Sequence, residues 1–187
     1  MMEKQVNGNS LVLLTGDITE QHTDAIVNAA NGSLLGGGGV DGAIHRAAGK
    51  RLLEECKEIR TQKLKGDYLS TGEAVLTKGY DLPAEYVIHT VGPIWKKGKD
   101  GQEKLLANCY RNSLDIAARS GLSSISFPSI STGVYGYPVE EAATVAIRTL
   151  VSCLNRREVG EVRVVLFSEK DYQIYEKALK EETLPPQ

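Results

Sequence analysis

Two stretches of this sequence join glycine to amide, carboxylate and hydroxyl side chains in an order that suits anion binding. The first, Asn28-Ala29-Ala30-Asn31-Gly32-Ser33-Leu34-Leu35-Gly36-Gly37-Gly38-Gly39-Val40-Asp41, crosses four consecutive glycines and ends on an acid. Backbone freed of Cβ atoms can fold its N–H groups into a nest. A helix N-terminus behind that nest adds partial positive charge, so a phosphate is the natural guest of Gly38, Gly39 and Val40. The second stretch, Pro128-Ser129-Ile130-Ser131-Thr132-Gly133-Val134-Tyr135-Gly136-Tyr137-Pro138, sets glycines on either side of the bulky pair Val134 and Tyr135. It offers another set of backbone donors, and two such loops on one sheet edge suit a diphosphate better than a single phosphate. Tyr135 and Tyr137 either give flat faces to a ribose or base, or pack in the ordinary way. Two smaller features share the same register along the chain: Gly16-Asp17-Ile18-Thr19, whose acid can meet a ligand or cap a helix, and Phe167.

These residues need elements to position them, and strand-like apolar runs alternate with helix-period segments, the pattern of a layered α/β domain. Leu11 to Leu14, Ala25 to Asn28, Glu73 to Lys78, Tyr86 to Val91, Ser124 to Phe127 and Val162 to Phe167 read as strands. The last is almost wholly apolar and should be central, covered on both faces. One helix is predicted from about Asp41 to Arg60, with Ile44, Ala48, Leu52, Cys56 and Ile59 as its apolar stripe. A second runs from about Glu103 to Ser120, a third follows Pro138, and Ser168 with Asp171 resembles a capping box opening a fourth. In open α/β sheets, ligands lie beyond the carboxyl ends of the strands, where all four polar features fall. Lys96 to Gly101 reads as a solvated loop, and Thr183 to Gln187 as a frayed tail.

Composition narrows the chemistry further. The chain has 187 residues, 22 Lys and Arg against 24 Asp and Glu, and no basic stripe, which argues against wrapping a nucleic-acid duplex. No apolar run approaches the ~20 residues of a membrane span, and residues 1–10 lack the order of a signal peptide, so a cytoplasmic location is expected. Cys56, Cys109 and Cys153 lie far apart and read as core thiols. His22, His45 and His89 form no metal-binding spacing, so no metal is expected. Gly37, Gly39 and Gly42 satisfy G-x-G-x-x-G, but Asn31 to Leu35 separate them from the strand, unlike a dinucleotide-binding turn. No P-loop and no G-x-S-x-G elbow occurs.

Gly16-Asp17-Ile18-Thr19, Val27-Asn28-Ala29-Ala30-Asn31, the glycine run into Asp41-Gly42-Ala43-Ile44-His45, His89-Thr90-Val91-Gly92-Pro93, and Pro128 through Pro138 together resemble a macrodomain of the MacroD type, in order and over nearly the whole chain. The resemblance implies that residues 1–187 form a single macrodomain, a three-layer α/β/α sandwich with a central mixed sheet. It implies ADP-ribose and its esters as ligands, mono-ADP-ribosylated proteins as partners, and no cofactor. In this subgroup the activity is removal of mono-ADP-ribose from acidic side chains and deacetylation of O-acetyl-ADP-ribose.

Carried over residue by residue, Asp17 matches the carboxylate that accepts from the adenine amino group, with Ile18 beside it, and Phe167 the aromatic on adenine. Gly38, Gly39 and Val40 match the first phosphate loop; Ser131, Thr132, Gly133, Val134, Tyr135 and Gly136 match the second, with Tyr135 against the distal ribose. Some relatives carry Phe at the position of Tyr135. Asn31 matches the amide on the distal ribose and Asp41 the acid at the reacting end, the two catalytic candidates. A carboxylate at a helix N-terminus is favoured in its charged form, which makes Asp41 a weak base. Most acceleration is therefore expected from orientation of a water, with the substrate's diphosphate helping to accept the proton. His45, four residues on, is either a base or a support behind the loop. The alternative to the enzyme is a non-catalytic ADP-ribose reader.

Overall fold

The computed structural model describes residues 1–182; the tail 183–187 lies outside the described residues. Among the described residues one mixed sheet contains β1 (Met2–Val6), β2 (Asn9–Thr15), β3 (Ala25–Ala29), β4 (Ala74–Lys78), β5 (Tyr86–Thr90), β6 (Ser124–Phe127) and β7 (Glu161–Leu166), in the order β1-β2-β7-β6-β3-β5-β4. The inner strands run parallel, and β1 and β4 pair antiparallel at the edges. The helices are α1 (Gly39–Ala48), α2 (Lys50–Gln62), α3 (Gln102–Arg119), α4 (Val139–Arg156) and α5 (Glu169–Glu181). Among the described residues no helix is long and apolar enough to cross a membrane.

Side-chain alternation along β3 sorts the layers. Ile26 belongs to a core shared with Ile44, Leu52 and Cys56 of α1 and α2. Ala25 and Val27 belong to the opposite core, with Tyr110 of α3, Leu150 of α4 and Tyr175 of α5. Helices on both faces of a mixed sheet give the expected three-layer α/β/α sandwich. β7, between β2 and β6, buries Val162, Val164, Val165 and Leu166, as a strand covered on both sides must. Cys56, Cys109 and Cys153 are free, buried thiols.

Two local readings need correction. The predicted helix over 41–60 is two helices, because Gly49 takes φ +86° and ends α1 with its N–H on the His45 carbonyl. The apolar stripe survives the break, with Ile44, Ala48, Leu52, Cys56 and Ile59 all buried. β1 was missed because only Val6 of its five residues is buried. Its signal was the Asn7-Gly8 turn, with both residues at positive φ, which pairs Val6 with Asn9 and Met2 with Leu13.

The topology itself opens the site. β3 and β6 are neighbours that pair only at Ala25↔Ile125 and Ile26↔Ser126. Beyond that point β3 leads into α1 and α2 on one face, whereas β6 leads into α4 on the other. Adjacent parallel strands whose connections part in opposite directions leave a crevice at their carboxyl ends.

Candidate functional site

A cleft of about 280 Å³ lies at that crevice, lined by Ala29 to Asn31, Gly37 to Asp41, Gly92, Ser129, Ser131 and Gly133 to Tyr135. Asn31 and Asp41 meet there, with Asn31 Nδ2 3.5 Å from Asp41 Oδ2. The first loop is folded around Asn31. Its Nδ2 donates to the Gly36 carbonyl at 2.8 Å, and its Oδ1 accepts from the Ser33 N–H and hydroxyl. Asp41 sits in the first turn of α1, where the N–H groups of Gly39, Val40 and Asp41 have no intrahelical acceptor. Gly38 has an ordinary φ, and a Cβ built on it meets nothing within 4 Å. The fold does not require glycine at that position, so what glycine contributes there is open space facing the cleft.

Asp41 is only 5% exposed, and a buried polar chain holds it from behind. Asn28 Nδ2 donates to Asp41 Oδ1 at 2.9 Å and also lies 3.1 Å from His89 Nδ1. His89 Nε2 is 2.9 Å from Thr77 Oγ1. Burial pushes the His89 imidazole down to about 3, with His45 adding repulsion, so the ring is neutral. A neutral ring that accepts at Nδ1 carries its proton at Nε2 and donates to Thr77. Cys56, beside this ring at 4.0 Å, has its thiol pushed up to about 12 by burial and then by the charges of Glu55 and Asp41. Sequence reasoning gave Asn28 and His89 no role. Their signal was a polar residue in each of two otherwise apolar strands, and β3 and β5 set the two in register.

The second loop is pinned to the helices beneath it. Ser129 Oγ lies 2.7 Å from both Thr132 Oγ1 and the Tyr175 hydroxyl, and Ser131 Oγ donates to the Pro93 carbonyl at 2.9 Å. Ser131 takes φ +68°, a strained conformation for a residue with a side chain. Gly92 lets the two segments touch, since a Cβ there would collide with Ser131 Oγ and Ile130. Gly133, like Gly38, meets nothing within 4 Å. The N–H groups of Thr132, Gly133, Val134 and Tyr135 donate to no protein acceptor among the described residues. Tyr135 lines the cleft, whereas Tyr137 is a core residue.

A family model described as Macro domain matches residues 27–146. The chain belongs to the Macro domain family. It is 57% identical over 167 residues to a Macro domain-containing protein of Chlorobaculum tepidum, covering 89% of this chain and 93% of that one. It is 51% identical over 168 residues to a protein of Cronobacter turicensis named O-acetyl-ADP-ribose deacetylase, covering 89% and 94%. The solved Oceanobacillus iheyensis macrodomain with ADP superposes with a TM-score of 0.94 at 59% identity, covering 96% of this chain and 94% of that one. A Trypanosoma brucei macrodomain in complex with ADP-ribose superposes at 0.81 with 44% identity, covering 90% and 68%.

Not every expected site residue of this macrodomain lines the cleft. Asn31, Gly38, Gly39, Val40, Asp41, Ser131, Gly133, Val134 and Tyr135 do; Asp17, Ile18, Thr132, Gly136 and Phe167 do not. Thr132 and Gly136 serve the second loop's own geometry, the latter at φ +71° with its N–H on the Gly133 carbonyl. Asp17 and Phe167 stand at the neighbouring ends of β2 and β7, joined by the Gly16 N–H bond to the Leu166 carbonyl. Asp17 also caps a short 3-10 turn, accepting from the Thr19 N–H and hydroxyl through Oδ1. Ile18 points into the α1–α2 core, and Phe167 is 86% exposed. His45 is absent from the lining and packs under the first loop, its Nε2 3.5 Å from Asp41 Oδ1. Among the described residues no three His, Cys, Asp or Glu side chains gather as a metal ligand set.

Proposed function

We propose that this macrodomain, acting as one domain in the cytoplasm, binds ADP-ribose across the carboxyl edge of its sheet. There it hydrolyses esters of the distal ribose, freeing acidic side chains of proteins from mono-ADP-ribose and releasing acetate from O-acetyl-ADP-ribose. The observation that carries this reading is the pairing of Asn31 with a buried, braced Asp41 in a cleft walled by two loops with unspent N–H groups. The solved complexes of relatives with ADP and ADP-ribose and the named deacetylase support it.

In this reading the diphosphate takes the N–H groups of Gly38 to Val40 and of Thr132 to Tyr135, where the missing side chains of Gly38 and Gly133 leave room for close approach. Adenine extends over the ends of β2 and β7, packing on Phe167 and giving its amino proton to Asp17 Oδ2, the oxygen not used in capping. The distal ribose lies beside Tyr135, Asn31 and Asp41. Asp41 Oδ1 is committed to Asn28, which leaves Oδ2 and Asn31 to hold the ribose hydroxyls and one water. That water adds to the acyl carbon, giving its proton to Asp41 or a diphosphate oxygen; the bond from this carbon to the ribose oxygen then breaks, and the departing oxygen takes up that proton. Orientation of the water and ribose by Asn31 and Asp41 supplies the larger share of the acceleration.

The test is to supply a peptide mono-ADP-ribosylated on glutamate, and separately O-acetyl-ADP-ribose, and to follow free ADP-ribose by chromatography. A hydrolase releases it from both with repeated turnover. A reader binds both and leaves them intact, which would replace the enzyme reading.

A further inference from the structure

We infer that the loop Ile94 to Gly101 is a docking rim for the polypeptide part of the substrate, selecting acidic sequence around the modified side chain. The inference rests on the hydrolase reading above. The segment leaves the cleft floor at Gly92, passes Pro93, whose carbonyl accepts from Ser131, and then joins Tyr135 through the Trp95 N–H bond to the Tyr135 carbonyl at 2.9 Å. It is therefore fastened to the cleft wall at Tyr135, which the proposed binding mode sets against the distal ribose, from which an attached acyl chain must emerge.

Beyond Trp95 come Lys96, Lys97 and Lys99, with Lys104 one helical turn further, all exposed. None of these ammonium groups forms an ion pair among the described residues, although the chain as a whole carries a formal charge of −2. The nearby acids are Asp100 and Glu103, the latter 3.8 Å from Arg148. The loop is held in shape. Buried Gln102 accepts from the Lys96 N–H and donates to the carbonyls of Lys96 and Lys99. A merely solvated tip has no need of a buried amide that fixes its backbone at three points, so the backbone that carries the lysines is held in place. Beside them Ile94 is 57% and Val134 96% exposed, giving an apolar shelf next to the positive patch. Charge of one sign beside an apolar contact fits an acidic polypeptide with interspersed apolar side chains, and it raises encounter rates by roughly tenfold or more at low salt.

The experiment compares the full chain with a variant carrying K96E, K97E and K99E on three substrates: O-acetyl-ADP-ribose, a glutamate-linked mono-ADP-ribosyl peptide with acidic flanks, and the same peptide with neutral flanks. The expected result is a loss of at least about tenfold in kcat/KM on the acidic peptide alone, carried by KM. Raising salt to about 0.5 M should reduce the wild-type preference for that peptide to the same extent. A wild type indifferent to the flanks, or a variant that loses rate equally on all three substrates, would overturn the docking rim. So would lysines that bind single-stranded RNA while peptide turnover stays unchanged. Wild-type failure to cleave any of the esters is a distinct result and counts against the hydrolase reading instead.

Discussion

At one end of the cleft, Asp41 and Asn31 are tied by protein groups on every side but one: Asn28 and His45 behind the acid, Gly36 and Ser33 around the amide. Outside the cleft, at the neighbouring ends of β2 and β7, Phe167 leaves 86% of its surface in solvent and Asp17 is fixed through one oxygen only. Groups that must stabilise a developing charge work best when already oriented, because reorganising them during reaction consumes the energy they would return. Groups that only hold a flat ring need area and can settle when the ring arrives. In the proposed binding mode the protein is thus braced where bonds are to change and open where a base is to be gripped.

The sharpest break of this contrast is Asp41→Ala. Turnover on a mono-ADP-ribosylated acidic peptide should fall at least about 100-fold, while ADP-ribose affinity, measured by calorimetry, stays within about tenfold, or 1.4 kcal/mol. Comparable turnover by the variant would remove Asp41 from the chemistry. An equal loss in affinity would make it a binding group like those at the adenine end.

The braced end should also be the acid-sensitive one. His89 is neutral in the fold, its imidazole lowered to about 3, whereas an unfolded histidine takes its proton near 6.5. Above 6.5 both states are neutral and the ring adds no pH dependence. As pH falls from 6.5 toward 3, only the unfolded state gains the proton, so stability is lost at up to about 1.4 kcal/mol per unit. Urea unfolding at pH 6.5 and pH 5 should give a loss of about 1–2 kcal/mol from this ring, absent in His89→Gln. An identical acid response in the variant would remove His89 as its source.

What the sequence made legible follows from the range of each interaction. The glycine run and the Ser131 to Gly136 turn announce themselves within a dozen residues, and a strand before with a helix after is enough to place both at one sheet edge. The brace under Asp41 is non-local: Asn28 and His89 are 61 positions apart, and only the register of β3 with β5 brings them together. Gly49 was unreadable as a break for the opposite reason. Its apolar stripe keeps helical period straight through the turn, so the pattern that reveals a helix also conceals its interruption. Asp17 left two readings open, and its capping of the 3-10 turn uses one oxygen without exhausting the other.

Asn28→Ala separates positioning from contact. Asn28 does not line the cleft, yet its loss frees Asp41 Oδ1 and leaves His89 Nδ1 without its donor. The expected outcome is a fall in kcat of about tenfold with KM nearly unchanged, the mark of an interaction felt only in the transition state. Stability should fall by about 1–3 kcal/mol, since buried polar groups lose a partner. An unchanged kcat would mean that Asp41 is held well enough by α1 alone.

Phe167→Ala should give the smallest effect and the most diagnostic one for the adaptable end. A side chain so exposed contributes almost nothing to the core, so the melting temperature should not move. In the proposed binding mode Phe167 stacks on adenine, and losing that ring should cost about 1 kcal/mol, or roughly fivefold in Kd. Since that mode sets adenine far from the ester, kcat at saturating substrate should be unaffected and the whole loss should appear in KM. A fall in kcat would mean that adenine packing helps seat the distal ribose against Asn31 and Asp41. The two ends would then act as one unit, and the division between a rigid and an adaptable end would fail.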